Sequence, residues 1–167
     1  MKRPKTSGFQ SDKRTILEPA DRRILAILQR DSSISNLELA KRTNLSPPTC
    51  LRRVRRLRER GIILRDVSLI DPAKVGKGLT VFVEVALERQ QDRMQRAFED
   101  MVRATPEILQ CYVASGDCDF LLVVQISTME SYHDFVKRVL ARNHNIRNFR
   151  STFAMKTIKN DTSITLD

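Results

Sequence analysis

The chain has 167 residues, 41% of them hydrophobic and 30% charged, which leaves room for one or two small domains with real cores and excludes a mostly disordered or collagen-like chain. Its longest apolar runs, such as Phe120 to Val124, are only strand-length, too short to span a membrane. Thirty Lys+Arg against 20 Asp+Glu give a net charge of +10. Residues 1–70 hold 17 basic and 7 acidic side chains, and residues 71–167 hold 13 of each. An excess confined to one segment is the footprint of a nucleic-acid or anionic-surface contact carried by one domain. The first residues, Met1-Lys-Arg-Pro-Lys-Thr-Ser-Gly, contain no apolar segment to serve as a signal peptide, so a cytoplasmic location is expected. Cys50, Cys111 and Cys118 lack paired metal-site spacing, and His133 and His144 add no ligand cluster. Reduced thiols and no metal or cofactor are the expectation.

Residues 1–18 are basic and polar and read as a flexible tail in which only Ile16 and Leu17 offer a core anchor. Past Pro19, the apolar face of Ile24, Leu25, Ile27 and Leu28 predicts a helix of about ten residues, with Asp21 at its positive end. Ser35 and Glu38 form a capping box for a second, two-turn helix that ends at Thr43-Asn44-Leu45. Ser46 is the next N-cap, Pro47 suits the first helical position, and the helix runs to Gly61. Two short helices across a tight turn make a helix-turn-helix over residues 19–63.

On the wheel of the third helix, at about 100° per residue, Cys50, Leu51, Val54 and Leu57 fall on the core side. Pro48, Thr49, Arg52, Arg56 and Glu59 lie opposite, with Arg53 and Arg60 at the edge. Six arginines between Arg52 and Arg60 beside a coherent core stripe point to a recognition helix in the DNA major groove, rather than to a merely solvated face. Its N-terminal turn presents Ser46, Pro48, Thr49 and Arg52 to bases or nearby phosphates; Thr49, Arg52 and Arg53 are the expected groove contacts, and Arg56 and Arg60 the expected phosphate clamps.

Residues 64–78 read as an extended strand and linker, a wing or inter-domain strand that begins in Ile62–Ile70 and closes on a turn at Val75–Gly78. From 79 to 160 the periodicity runs strand (Leu79–Leu87), helix (Met94–Val102), hairpin (Ile108–Ser115 and Phe120–Ile126), helix capped by Ser127 and Glu130, and a last strand (Ile146–Ile158). A short C-terminal tail, 161–167, follows. The fold class is therefore α+β: an N-terminal winged helix-turn-helix plus a C-terminal ferredoxin-like βαββαβ domain. One sheet face carries Thr80, Phe82 and Ala86, too apolar to stay wet, so the domain is expected to dimerise and to pair two recognition helices on half-sites about one helical turn apart.

The stretch Ser35–Ile63, with Ser115-Gly-Asp-Cys-Asp-Phe120 and the C-terminal element order, resembles the Lrp/AsnC family of bacterial and archaeal transcription regulators over roughly Pro19 to Ile158. The resemblance implies a sequence-specific, nucleoid-associated regulator of amino-acid metabolism genes that dimerises and assembles into octamers. It also implies an amino-acid effector bound between dimers at the loop corresponding to Gly116, Asp117, Cys118 and Asp119. The chemistry of that loop is compatible with such a ligand, since Gly116 turns the backbone, exposed amides can hold a carboxylate, and Asp117 or Asp119 can pair with an α-ammonium. Both aspartates can equally serve as turn caps. Arg142, Asn143 and His144 offer another wall.

Two other readings compete. Enzyme chemistry has only the Asp117 and Asp119 carboxylates, with no phosphate loop, metal spacing or neighbouring histidine to complete a catalytic set. A purely architectural DNA-binding protein would need the same basic helix and the same oligomer, but no effector pocket.

Overall fold

A computed structural model describes residues 16–89 and 91–166, so most of the expected tail over 1–18 lies outside the described residues. The chain divides into two compact units, Met1–Leu69 together with Lys159–Asp167, and Ile70–Ile158.

In the first unit, α1 (Pro19–Leu28), α2 (Asn36–Thr43) and α3 (Pro47–Glu59) enclose a core of Ile24, Leu25, Leu39, Ala40, Cys50 and Leu57. Leu17 packs against its edge, so the chain is anchored from that residue on. Asn44 adopts a left-handed conformation, φ 54°, which its short side chain tolerates better than most, and this makes the tight turn between α2 and α3. Thr43 is buried, and its hydroxyl donates to the Leu39 carbonyl at 2.8 Å. Ser35 caps α2 by accepting the Glu38 N–H at 3.2 Å. The Glu38 carboxylate, however, pairs with Arg42 at 3.0 Å, so only half of the expected capping box forms. Gly61, at φ 69°, ends α3 by letting the Ile62 N–H return to the Leu57 carbonyl at 2.9 Å.

Two expectations for this unit are corrected. Leu51 is 58% exposed, because it lies on the far side of Val54 from Leu57 and the core stripe is narrower than four residues. Residues 62–70 form no strand among the described residues. Leu64, Val67, Leu69 and Ile70 instead stand exposed: their composition supplies strand propensity, but a ladder requires a partner edge.

The segment read as a terminal tail also has contacts. The Gln29 side chain pairs with Ile164 in both directions, donating to its carbonyl at 3.1 Å and accepting its N–H at 2.7 Å. Leu166 packs on the helical core. Leu166→Ala combined with Gln29→Ala is expected to cost this unit about 1–2 kcal/mol. A melting curve should register the loss as a fall of several degrees; an unmoved midpoint would show that the strap adds nothing.

In the second unit, β1 (Leu79–Leu87), α4 (Asp92–Ala104), β2 (Ile108–Val113), β3 (Phe120–Ile126), α5 (Met129–Phe135) and β4 (Ile146–Phe153) follow in order, with α5 continuing as a π turn over Val136–Leu140. The sheet is antiparallel in the order β2-β3-β1-β4, as in a ferredoxin-like domain. Val81, Val83 and Val85 of β1, with Leu122 and Val124 of β3, meet Phe98 from α4 and Phe135 from α5 in one core. The other face carries Phe82 paired with Val123, and Glu84 paired with Leu121; Phe82 is 41% exposed, and Tyr112, paired with Leu121 on the far side of β3, is exposed as well. Ala86, on the same face, is buried and lines a small hollow with Asp117, Cys118 and Asn148. Thr128, not Ser127, caps α5 by accepting the Ser131 N–H at 3.1 Å. The last strand ends at Phe153, five residues before the expected limit.

Candidate nucleic-acid interface and effector loop

The expected recognition helix, α3, starts where its sequence places it. Ser46 is the N-cap of α3 with Pro47 in the first turn. The Ser46 hydroxyl donates to Thr49 Oγ1 at 2.8 Å instead of capping a backbone N–H. Asn36 Nδ2 donates to the Pro47 carbonyl at 3.0 Å, which ties the starts of α2 and α3 together. Ser46, Pro48, Arg52 and Arg60 are exposed and Thr49 is half-buried.

The six arginines fall into three sets. Arg52 and Arg60 form no ion pair among the described residues. Arg55 pairs with Glu59 at 2.9 Å and Arg58 with Asp66 at 2.7 Å, both exposed pairs of small energetic value. Arg53 and Arg56 are bound to the start of α1. Asp21 Oδ1 accepts from Arg53 at 2.9 Å and Oδ2 from Arg56 at 2.8 Å, while Glu18 accepts from Arg53 at 2.8 Å and from Arg56 at 3.1 Å. Hydrogen bonds from Arg53 first, then Arg56, hold the Glu18 carboxyl below the ordinary carboxylate value. The Asp21 side chain is only 2% exposed, against 21% for Arg53 and 42% for Arg56.

Asp21 is thus more than a helix-end charge; it is the buried carboxylate on which two arginines of α3 converge. Sequence periodicity assigns Arg53 to the groove because the wheel shows only which side faces out, and the pairing of α1 with α3 lies 32 residues apart in the chain. The available signal is acidic residues at both the N-cap and the third position of α1 in a unit otherwise rich in arginine.

In the second unit, residues 114–119 join β2 to β3. Gly116 has φ 135° and open space where a Cβ would stand, so backbone conformation rather than crowding calls for glycine there. The Ala114 N–H donates to the Asp119 carbonyl and the Asp119 N–H to the Val85 carbonyl, both at 2.9 Å. Asp119 Oδ2 accepts the Leu87 N–H at 2.7 Å, a cap that fixes the loop on the bulged end of β1. Asp117 and Cys118 line a small cavity of about 270 Å³ with Glu84, Asn148 and Arg150. Arg142, Asn143 and His144 instead line a separate cleft of about 790 Å³ with Met94 and Met101. The three cysteines are free, and burial pushes the Cys111 thiol up to about 11, which keeps it protonated near neutral pH.

Residues 80–164 match the family model described as the Lrp/AsnC ligand binding domain, and residues 17–63 match a winged helix-turn-helix DNA-binding model. The chain belongs to the Lrp/AsnC family. A Haemophilus influenzae protein described as an uncharacterized HTH-type transcriptional regulator is 41% identical over 90% of this chain and 89% of its own length. The leucine-responsive regulatory protein of Escherichia coli is 38% identical over 86% and 87% of the two chains. Among solved structures, a Neisseria meningitidis transcriptional regulator in complex with L-Met superposes with a TM-score of 0.87 at 34% identity, covering 91% of this chain and 98% of that one. The chain is accordingly a DNA-binding transcriptional regulator, of a family of regulators and not of enzymes. Its helix-turn-helix unit is the Lrp/AsnC reading head, and no helix among the described residues is long and apolar enough to cross a membrane.

Proposed function

We propose that this Lrp/AsnC regulator is cytoplasmic and nucleoid-associated, controls amino-acid metabolism genes, and has its DNA binding modulated by an amino-acid effector. α3 reads a half-site through Ser46, Pro48, Thr49 and Arg52, with Arg60 on a phosphate. Two copies join through the exposed sheet faces around Phe82, Tyr112 and Val123, where apolar side chains lack cover, and dimers assemble further into an octamer. The effector sits between dimers at the loop Gly116–Asp119. Asp119 is the part of that loop already committed to the Leu87 N–H, so the α-ammonium falls to Asp117, beside Cys118, and the carboxylate to loop amides around Gly116. The effector acts by binding one assembly better than another, which changes the spacing of reading heads.

The observation that carries the effector reading is the match over 80–164 to a ligand-binding domain, reinforced by the L-Met complex of a structural relative. A thermal-shift screen against the common amino acids tests it. One amino acid or a related group is expected to raise the melting midpoint, by about 2.7 kcal/mol of stabilisation at a hundredfold excess over Kd. Asp117→Ala should abolish that shift without moving the unliganded midpoint. No shift from any amino acid at millimolar concentration would favour the architectural reading instead.

A further inference from the structure

We propose that Glu18 is a removable stand-in for a DNA phosphate, a carboxylate that occupies Arg56 in the free protein and yields it to the backbone of bound DNA. This rests on α3 being the DNA-facing helix. Three features of the cluster separate Glu18 from its neighbour Asp21. Asp21 is buried, and its two oxygens are divided between the two arginines at 2.9 and 2.8 Å. The Glu18 side chain is about half exposed, so its departure restores full hydration at little cost.

Glu18 also occupies the N-cap position of α1, yet its side chain makes no cap hydrogen bond. The carboxylate passes over its own helix N–H groups, which an N-cap side chain ordinarily accepts, and reaches Arg53 and Arg56 instead. The third feature is on Arg56 itself. A single nitrogen, Nη2, serves both carboxylates, while its Nε is buried with no hydrogen-bond partner among the described residues. A phosphate that replaced Glu18 would let the guanidinium turn and use Nε with Nη2 as a fork, the bidentate geometry for which arginine suits phosphate. Asp21 then remains as the fixed side of the clamp, and Arg53, half as exposed as Arg56, remains its strut.

The exchange predicts opposite signs in two measurements. Glu18→Gln removes the competing charge, so it should lower the thermal midpoint of the protein while tightening DNA binding by about two- to fivefold, the scale of an exposed ion pair. The contact is to phosphate, so a fluorescent duplex of random sequence is sufficient as the probe. Glu59→Gln, the same change of charge on α3 at a carboxylate whose one ion pair among the described residues is with Arg55, should tighten binding less. In an Arg56→Gln background, the gain from Glu18→Gln should vanish. Arg56→Gln alone should reduce the slope of log affinity against log salt by about one, which a purely structural role would not do.

A gain from Glu18→Gln that persists without Arg56, or that Glu59→Gln equals, would make the effect general electrostatics and overturn the exchange. An unchanged salt slope in Arg56→Gln would overturn it as well. Arg52→Ala on the same duplex separates the two levels: if it also leaves affinity and slope unchanged, the DNA-facing assignment of α3 fails, and if only Glu18→Gln is silent, the exchange alone fails.

Discussion

Asp21→Ala is expected to destabilise the reading head by about 2–3 kcal/mol and to lower operator affinity about tenfold or more. The carboxylate is 2% exposed and holds Arg53 and Arg56 through separate oxygens. Its removal leaves two guanidinium groups converging on a buried position, with the exposed Glu18 as their one remaining carboxylate partner among the described residues. The arginines lie partly in solvent and can recover some hydration, which places the loss below the 3–5 kcal/mol typical of a fully buried broken pair. For so small a unit, each kcal/mol moves the midpoint by about 4–8 °C, so a fall of about 10 °C or more should appear in a melting curve. DNA binding falls because α3 loses its fixed angle on α1 while its groove-facing side chains stay intact. Asp21→Asn keeps the shape and removes the charge. It should recover part of the stability, and full recovery would show that hydrogen bonding, not charge, holds the helix. An unchanged midpoint in Asp21→Ala would remove the anchor role.

The architecture was legible because it is written in local signals. The apolar spacing of Ile24 and Leu25, the Ser35 cap, Pro47 after Ser46 and Gly61 place three helices within a residue or two. The period-two run of β1 and the helical stripe around Phe98 did the same for the second unit. What escaped was fixed by contacts far apart in sequence. Leu51 stands exposed because the core stripe is set by where α1 and α2 cross α3, not by the wheel alone. Residues 62–70 have strand composition without a strand partner among the described residues. The cap of α5 falls on Thr128, since both Ser127 and Thr128 are chemically able to cap and the path of the chain out of β3 decides between them. In the candidate DNA interface, residue type indicated arginine, but only geometry separates Arg52 from Arg53: one stands in solvent, and the other is spent on Asp21 and Glu18. In the effector loop, the open alternative between cap and ligand for Asp119 is weighted toward the cap by its bond to the Leu87 N–H.

Arg52→Ala and Arg53→Ala should therefore fail in different ways, although the two residues are neighbours on a helix. Arg52 is exposed and forms no ion pair among the described residues, so its truncation removes nothing that holds the fold. It should leave the melting midpoint within about 1 °C and cost about 1–3 kcal/mol of binding to a duplex selected by the parent protein from a random pool, the value of one bidentate base contact. The loss should be smaller on random duplex, because a base contact discriminates and a phosphate contact does not. Arg53→Ala leaves Asp21 buried with one partner fewer. Its first effect should be a lowered midpoint, with weakened binding on selected and random duplex alike, as expected when α3 is displaced as a body. Equal thermal behaviour of the two variants would show that the Asp21 pairing does not govern the helix. A uniform loss for Arg52→Ala on every sequence would move that side chain from the bases to the phosphates.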